Sequence, residues 1–244
     1  MIGRLVWFAG LAAIALLTAV LQLDLMAARA PGVVPIVPSP LRNESQVAIT
    51  RAALAGTDSA RALAEAERLV QRRPIPARNL VLLSVSQAKA GRAEDAAKTI
   101  QIAAQRGWRE PLAQEAMLRI ALAAGDEAEA ARRYAALFLR DGTPEPLLSE
   151  LGTAVLAKPG GLGQSTMVAI VVDGERWHAA FLGRGPRVMP PAAFSAITAD
   201  SLARGAAFDC AALGQSVRVL KRRDPAAAAS LRTAAERRCP RLPR

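Results

Sequence analysis

Two cysteines and one histidine are the side chains of this sequence best suited to covalent or acid–base chemistry. The cysteines, Cys210 and Cys239, are 29 residues apart. With a single histidine, His178, they match neither a zinc motif nor a redox motif. We expect them to form a disulfide, which in an oxidising compartment would add roughly 3–4 kcal/mol to the free energy of unfolding. Two free buried thiols, or a catalytic or metal-binding pair, are the alternatives.

His178 has two acidic neighbours in the sequence, Asp173 and Glu175. A catalytic histidine needs a nucleophile or an acid beside it and a third group that orients it. The sequence has no serine elbow of the hydrolase type, and residues 160–163 (Gly-Gly-Leu-Gly) lack the Lys-Ser/Thr of a phosphate-binding loop. We therefore predict that the protein is not an enzyme and has no catalytic residue, metal site or cofactor. An enzyme whose site is formed by these three residues is the alternative.

Positive charge is concentrated near the end of the chain. The net charge is +11, and residues 218–244 contain nine Lys and Arg against two Asp and Glu. A solvated helix face explains such a segment, and contact with anionic lipid, lipopolysaccharide or acidic polysaccharide is a second interpretation. Nucleic acid is the least favoured partner, because no aromatic residue is interleaved with the charges.

An uncharged apolar segment near the N-terminus predicts a membrane helix. Residues 5–23 contain no charged residue and as a helix would be roughly 28 Å long, close to the thickness of the bilayer's hydrocarbon core. The flanking charges favour an N-terminus in the cytoplasm. We expect a single-pass anchor over residues 1–30 in the inner membrane of a Gram-negative bacterium, with the bulk of the chain in the periplasm. A signal peptide cleaved after Ala28-Arg29-Ala30 is the alternative.

Residues 31–43 are predicted to be a proline-rich linker. Four of the ten residues from Pro31 to Pro40 are prolines. Because proline has no N–H and a fixed φ, we expect a semi-rigid, extended spacer there and no helix.

Prolines and glycines recur at nearly fixed intervals through residues 44–158. The prolines are 35 residues apart and the glycines 34 or 35. The prolines are Pro76, Pro111 and Pro146, and the glycines are Gly56, Gly91, Gly125 and Gly160. This period predicts stacked helical hairpins, in which a first helix lies between Pro and Gly and a second helix lies between Gly and the next Pro.

The second helices are predicted to bury an apolar stripe. Apolar residues recur at helical spacing from the fifth position after the glycine, beginning at Ala96 and at Ala130. The two stripes are Ala96, Ala97, Ile100, Ala103 and Ala104, and Ala130, Ala131, Tyr134, Leu137 and Phe138. We expect the glycines to end the first helices in the left-handed conformation, and Thr57-Asp58 and Asp126 to cap the second helices.

The period and the Gly-then-five-then-Ala spacing resemble the tetratricopeptide repeat (TPR) family. Leu80, Leu83 and Met117 stand where that family places large apolar residues on its first helices. The resemblance implies a right-handed solenoid whose first helices line a groove for a protein partner. We expect this groove to include those three residues and Arg119, its only obvious charge, and to lack the Lys, Asn and Arg clamp with which some members hold a C-terminal carboxylate. A spacer or an oligomerisation unit is the alternative.

Residues 159–244 do not continue the proline and glycine period of the helical hairpins beyond Gly160. Two apolar runs, residues 167–172 and 176–182, flank an Asp-Gly pair, which is a strong short-range signal for a β-hairpin. Residues 217–220 could add a strand, and Asp224-Pro225 predicts the start of a helix that reaches about Arg238. We predict a small α+β module here. The whole chain is therefore expected to be mostly α, with a transmembrane helix and a TPR-like helical solenoid before this module.

These features predict a membrane-anchored periplasmic scaffold that binds a protein partner during envelope assembly, in polysaccharide export, secretion or cell-wall machinery. An envelope enzyme with a site in the C-terminal module is the first alternative. A protein whose basic tail binds nucleic acid or an anionic polymer is the second.

Overall fold

Helices form all of the regular structure in residues 2–240, the part of the chain that the computed structural model describes. Within that range there is no β-strand. The chain divides into two compact units, Met1–Gly107 and Trp108–Arg244, which are described here one at a time.

The first unit contains one long helix and two helical hairpins. Helix α1 packs against α2, α2 forms a hairpin with α3, and α4 forms a hairpin with α5, while α3 also packs against α4. The helices are α1 (Ile2–Met26), α2 (Glu44–Ala55), α3 (Ser59–Arg72), α4 (Ala77–Lys89) and α5 (Ala93–Arg106).

Helix α1 is long and apolar enough to span a membrane. Its 25 residues correspond to roughly 37 Å. The apolar side chains of its membrane-length segment are exposed, including Trp7 and Phe8 near its start. The hydroxyl of Thr18 donates a hydrogen bond to the carbonyl of Ile14 at 2.8 Å, so this polar side chain is satisfied within the helix, as an apolar surrounding requires.

The proline-rich segment after α1 is folded, and the prediction of an extended spacer is wrong. Its residues form two short 3-10 helices, Pro31–Ile36 and Ser39–Leu41, because the φ fixed by proline is also compatible with 3-10 geometry. Val37, between them, is completely buried, and the Arg42 side chain donates from Nε to the Val37 carbonyl at 2.8 Å. The segment therefore folds back and returns the chain to the end of α1.

The Asp24 carboxylate joins α1 to the start of α2. Asp24 is only 2% exposed, and its two oxygens accept hydrogen bonds from the backbone N–H groups of Asn43, Glu44 and Ser45 at 3.0–3.1 Å. The first N–H groups of a helix have no partner inside the helix, so a carboxylate from another element is a suitable acceptor for them. We call this arrangement the Asp24 cap.

The predicted helical hairpins and their glycine ends are largely confirmed. Gly91, Gly125 and Gly160 have positive φ, and after Gly91 and Gly125 the chain closes the first helix with the paired backbone hydrogen bonds of a Schellman motif. Gly56 is different, because its φ is −76°. Both predicted caps are also present: of the Thr57-Asp58 pair, Asp58 accepts from the first turn of α3, and Asp126 accepts from the first turn of the helix that begins at Glu127.

The second unit is a two-row stack of helices. One row contains α8, α10 and α12, and the other contains α7, α9, α11 and α13, each packed on the next within its row. Helix α6 pairs with α7, and α12 pairs with α13. The helices are α6 (Pro111–Ala123), α7 (Glu127–Phe138), α8 (Glu145–Val155), α9 (Leu162–Asp173), α10 (His178–Val188), α11 (Pro191–Ala203), α12 (Cys210–Lys221) and α13 (Pro225–Glu236).

The predicted α+β module is wrong, because the residues assigned to strands are helical. Residues 167–172 lie in α9, residues 176–182 lie in a 3-10 turn and α10, and residues 217–220 lie in α12. The Asp-Gly pair ends α9 and does not turn a hairpin. A Cβ at Gly163 would lie 2.3 Å from the Val155 carbonyl oxygen, so α9 begins in close contact with the end of α8. The predicted helix start at Asp224-Pro225 is confirmed, with Asp224 as the N-cap of α13.

The core of the second unit is one cluster that includes residues from Leu118 to Cys239. It is therefore not interrupted at residues 158–159, where the sequence analysis divided the helical repeats from the C-terminal module. The two predicted apolar stripes, one on α5 in the first unit and one on α7 in the second, are both buried except for Ala97, which is exposed. Aromatic rings link the helices at the centre of this core: Phe181 of α10 lies 5.3 Å from Phe194 of α11 and 6.3 Å from Phe138 of α7, centroid to centroid.

Two glycines of α10 provide a matched test of this packing. A Cβ at Gly185 would lie 2.5 Å from the Phe194 ring, whereas a Cβ at Gly183 would have nothing within 4 Å. We expect Gly185→Ala to lower the free energy of unfolding by roughly 1–3 kcal/mol through overpacking. We expect Gly183→Ala to raise it by about 0.5–1 kcal/mol, because alanine favours a helix interior. Chemical denaturation of both variants checks this, and equal effects would contradict the packing of α10 on α11.

The only tyrosine of the chain, Tyr134, is fully buried, and its hydroxyl has no hydrogen-bond partner among residues 2–240. A Cβ at Gly152 would lie 2.6 Å from the Tyr134 hydroxyl oxygen, so the ring packs directly against the backbone of α8. Burial raises the pKa of Tyr134 far above its usual value, and the nearby charge of Arg184 offsets only part of this rise.

We therefore expect the stability of the second unit to fall as the pH rises above about 10. In that range the unfolded chain releases the tyrosine proton while the folded chain keeps it, so the unfolded state binds fewer protons. Tyr134→Phe should remove this part of the decline and raise the free energy of unfolding at neutral pH by up to about 1 kcal/mol, since no hydrogen bond is lost. Thermal denaturation against pH measures both effects. Phenolate absorbance of the native protein at pH 10 would contradict the buried position.

Candidate partner-binding surfaces

The residues predicted to line a partner groove lie in different units. Leu80 and Leu83 lie on α4 of the first unit, and Met117 and Arg119 lie on α6 of the second. Leu80 is 7% exposed and therefore belongs to the core, not to a groove, whereas Leu83 and Met117 are half-buried. Arg119 is exposed.

Helix α6 carries an exposed apolar face that the sequence analysis did not select. Leu112 and Ile120 are 58% and 45% exposed, and Ala116 lies between them at a spacing of four residues. This spacing places the three side chains along one side of the helix. Trp108, just before the helix, is 54% exposed, and the Arg109 guanidinium lies 4.8 Å from its ring centroid. We call Leu112, Ala116 and Ile120 the α6 face.

Arg119 is paired with two carboxylates, so it is not a lone charge on an apolar surface. Its Nη2 lies 2.9 Å from Glu115 and 3.0 Å from Glu150. Hydrogen bonds to Glu115 and then to Glu150 raise the pKa of Arg119. Glu115 could have been found from its i, i+4 spacing on α6, whereas Glu150 lies on α8 and needs the tertiary structure. The surface beside the α6 face is therefore zwitterionic.

In the first unit, cations of the second hairpin bind carbonyl groups at the ends of helices in the first hairpin. Lys89, at the end of α4, donates to the carbonyls of Leu54 and Gly56 at the end of α2. Arg106, at the end of α5, donates to the carbonyl of Pro74, just after α3, at 3.0 Å. Helix C-termini leave carbonyls unpaired and carry partial negative charge, so these cations stabilise the stacking of one hairpin on the next.

The second unit is held by an ion pair at a helix start and by a cation on carbonyl groups at a helix end. Lys158 lies 2.9 Å from Glu127 at the start of α7, and the hydrogen bond from Lys158 is the main cause that lowers the pKa of Glu127. Arg184 of α10 donates to the carbonyls of Phe138, Arg140 and Thr143 at the end of α7. These contacts join the ends of neighbouring helices within the second unit.

His178 is held inside the second unit and not in a catalytic arrangement. The ring is 7% exposed, its Nε2 lies 2.8 Å from the carbonyl oxygen of Val171, and its centroid lies 4.5 Å from that of Phe208. Asp173 and Glu175 are exposed, and the structure does not bring them into a hydrogen bond with the imidazole. The three residues of the alternative enzyme site are therefore not assembled into one site.

Cys210 and Cys239 form a disulfide between the start of α12 and the residues after α13. The prediction of this bond is confirmed. Because α12 and α13 are also joined by the short turn at residues 222–224, this terminal hairpin is closed at both ends. The surface of the hairpin carries most of the basic residues found near the end of the sequence.

Comparisons of the chain with protein-family models, with curated proteins and with solved structures gave no match. The fold and the surfaces described above are therefore the basis for assigning a function.

Proposed function

We propose that this chain is a membrane-anchored scaffold of the TPR type that binds a protein partner during assembly of the bacterial envelope. Helix α1 would cross the inner membrane once, and the two helical units would lie in the periplasm. Polysaccharide export, secretion and cell-wall synthesis are the settings in which such a scaffold would act. The Asp24 cap is the observation that carries this proposal, because it makes a membrane-length helix part of the first helical unit.

The Asp24 cap favours an anchor over a cleaved signal peptide. Cleavage after Ala28-Arg29-Ala30 would remove the carboxylate that accepts from the N–H groups of residues 43–45, at the start of α2. It would also remove Ala27, which is 1% exposed and so contributes to the buried interior. Both losses would destabilise the first unit. The disulfide supports the periplasmic location, because such bonds persist in oxidising compartments.

The α6 face supports the partner-binding part of the proposal. Leu112 and Ile120 together with Trp108 expose apolar surface on and beside helix α6, and Arg119, Glu115 and Glu150 provide polar groups next to it. An apolar centre with a charged margin is the usual composition of a protein–protein interface. A helical spacer would have no need to keep this face apolar.

Site-specific photo-crosslinking in living cells tests the proposal. A photoreactive residue would replace Leu112 or Ile120 on the α6 face, and a matched control would replace the exposed Ser230 on α13. We expect an adduct with one envelope protein from the two α6 positions and none from the control. No adduct from α6, or the same adducts from α6 and α13, would contradict partner binding at this face. An adduct with a second copy of this chain would favour the oligomerisation unit.

A further inference from the structure

We propose that the α12–α13 hairpin binds a linear acidic polysaccharide through its carboxylate groups. This inference goes beyond the protein partner of the proposed function and uses a different surface. It is based on unneutralised charge, on a groove between the two helices and on the rigidity of the hairpin.

The hairpin carries a strong excess of positive charge. Residues 210–240 contain seven Lys and Arg against two Asp and Glu. One of the two acids, Asp224, is occupied, because its carboxylate accepts the backbone N–H groups of Ala226 and Ala227 at 2.9 Å. Only Glu236, at the end of α13, is left to balance the cations.

Most of these cations have no acidic partner. Among the residues that the structure describes, five of them form no ion pair: Lys221, Arg222, Arg232, Arg237 and Arg238. Elsewhere in the described part of the chain, some exposed arginines, such as Arg92, Arg119 and Arg187, are paired with Glu or Asp. Arg223 has a structural role, since it donates to the carbonyls of Pro186 and Met189 at the end of α10.

An open groove of about 440 Å³ runs between α12 and α13. Lys221 and Arg232 line it together with the apolar groups of Val217 and Ala228, and none of the described residues that line it is acidic. Because the disulfide closes the hairpin at the end opposite the turn, the two helices that carry these cations are held together before a ligand arrives. A preorganised cationic groove binds an anion with a smaller loss of conformational entropy than a flexible tail does.

The composition of the hairpin favours an acidic polysaccharide over other polyanions. Residues 209–240 contain no aromatic residue, so bases of a nucleic acid have nothing on which to stack. The same residues expose no large apolar side chain that could enter a bilayer. Guanidinium groups bind carboxylates with two parallel hydrogen bonds, and a sugar chain presents such carboxylates at regular intervals.

Binding of polygalacturonate to the detergent-solubilised full-length protein tests this inference, with neutral dextran as the negative control. We expect Lys221→Glu combined with Arg232→Glu to weaken binding on the order of tenfold or more, and the wild-type affinity to fall with added salt. The matched control combines Arg51→Glu with Arg61→Glu, which changes the net charge equally at exposed positions of the first unit. A pair of Gln substitutions at residues 221 and 232 provides a milder variant if the charge reversal prevents folding.

Three outcomes would overturn the inference. An equal loss of binding in the hairpin variant and in the matched control would show that only net charge matters. Tighter binding to vesicles of anionic phospholipid, or to single-stranded DNA, would assign the surface to a membrane or to a nucleic acid. Absence of polygalacturonate binding by the wild-type protein would contradict the inference that the hairpin binds an acidic polysaccharide. None of these outcomes depends on the α6 face, so the proposed protein partner is tested separately.

Discussion

Replacement of Asp24 by alanine is expected to lower the free energy of unfolding of the first unit by roughly 2–4 kcal/mol. The substitution removes a buried acceptor from the N–H groups of Asn43, Glu44 and Ser45 and leaves them without a partner in the structure. We expect α2 to fray at its start and the segment 31–43 to detach from α1. Hydrogen exchange of the amides in residues 31–45 should accelerate, while exchange in the second unit should stay unchanged.

The chain offers a matched control for this prediction. Asp58 caps α3 by accepting one hydrogen bond, from the Arg61 N–H, at an exposed site. Asp58→Ala should therefore cost only about 1 kcal/mol and change exchange only at the start of α3. If Asp24→Ala and Asp58→Ala have equal effects, or if residues 31–45 exchange freely in the wild-type protein, the Asp24 cap does not join α1 to α2.

Removal of the disulfide is expected to lower the free energy of unfolding of the second unit by roughly 3–4 kcal/mol, because the bond closes a loop of about 30 residues in the unfolded chain. Replacement of both cysteines by alanine, and reduction of the wild-type protein, should give the same loss in chemical denaturation. The first unit contains no cysteine, so its unfolding serves as the internal control.

The redox state of the cysteines also tests the location of the second unit. Thiol labelling under denaturing conditions should modify neither cysteine in protein taken directly from cells, if the second unit lies in an oxidising compartment. Two labelled cysteines, or equal stability with and without reductant, would contradict the bond and remove its support for a periplasmic location.

The helical hairpins could be predicted because their signals are local. Proline is accepted in the first turn of a helix and glycine ends a helix in the left-handed conformation, so their alternation marks helix boundaries directly. Pro111 begins α6, and Gly91 and Gly125 have the expected positive φ. The Asp224-Pro225 pair predicted α13 for the same reason.

Helices α9 and α10 could not be predicted because their signals are ambiguous at short range. A run of six apolar and β-branched residues, such as 167–172, fits a buried strand and a buried helix equally well. Asp-Gly is compatible with a hairpin turn, but here Asp173 is the last residue of α9 and Gly174 is its C-cap, with φ −114° and ψ 59°. Only the packing of α9 between α7 and α11 decides in favour of the helix.

The Asp24 cap and the ion pair beside the α6 face could not be predicted from the sequence, because each joins residues that are far apart in the chain. Asp24 and Ser45 are 21 residues apart, and Arg119 and Glu150 are 31 apart. Neither pair follows a helical or a strand spacing. In contrast, the disulfide could be predicted, because the chain has only two cysteines and they have only each other as an intramolecular partner.

The intact mass of the protein extracted from the membrane fraction tests the central claim most directly, namely that α1 is retained as part of the folded first unit. We predict a mass that includes residues 2–30 and a protein that leaves the membrane only with detergent. A mass that begins after Ala30, or release of the protein by salt alone, would contradict the anchor and the role of the Asp24 cap together.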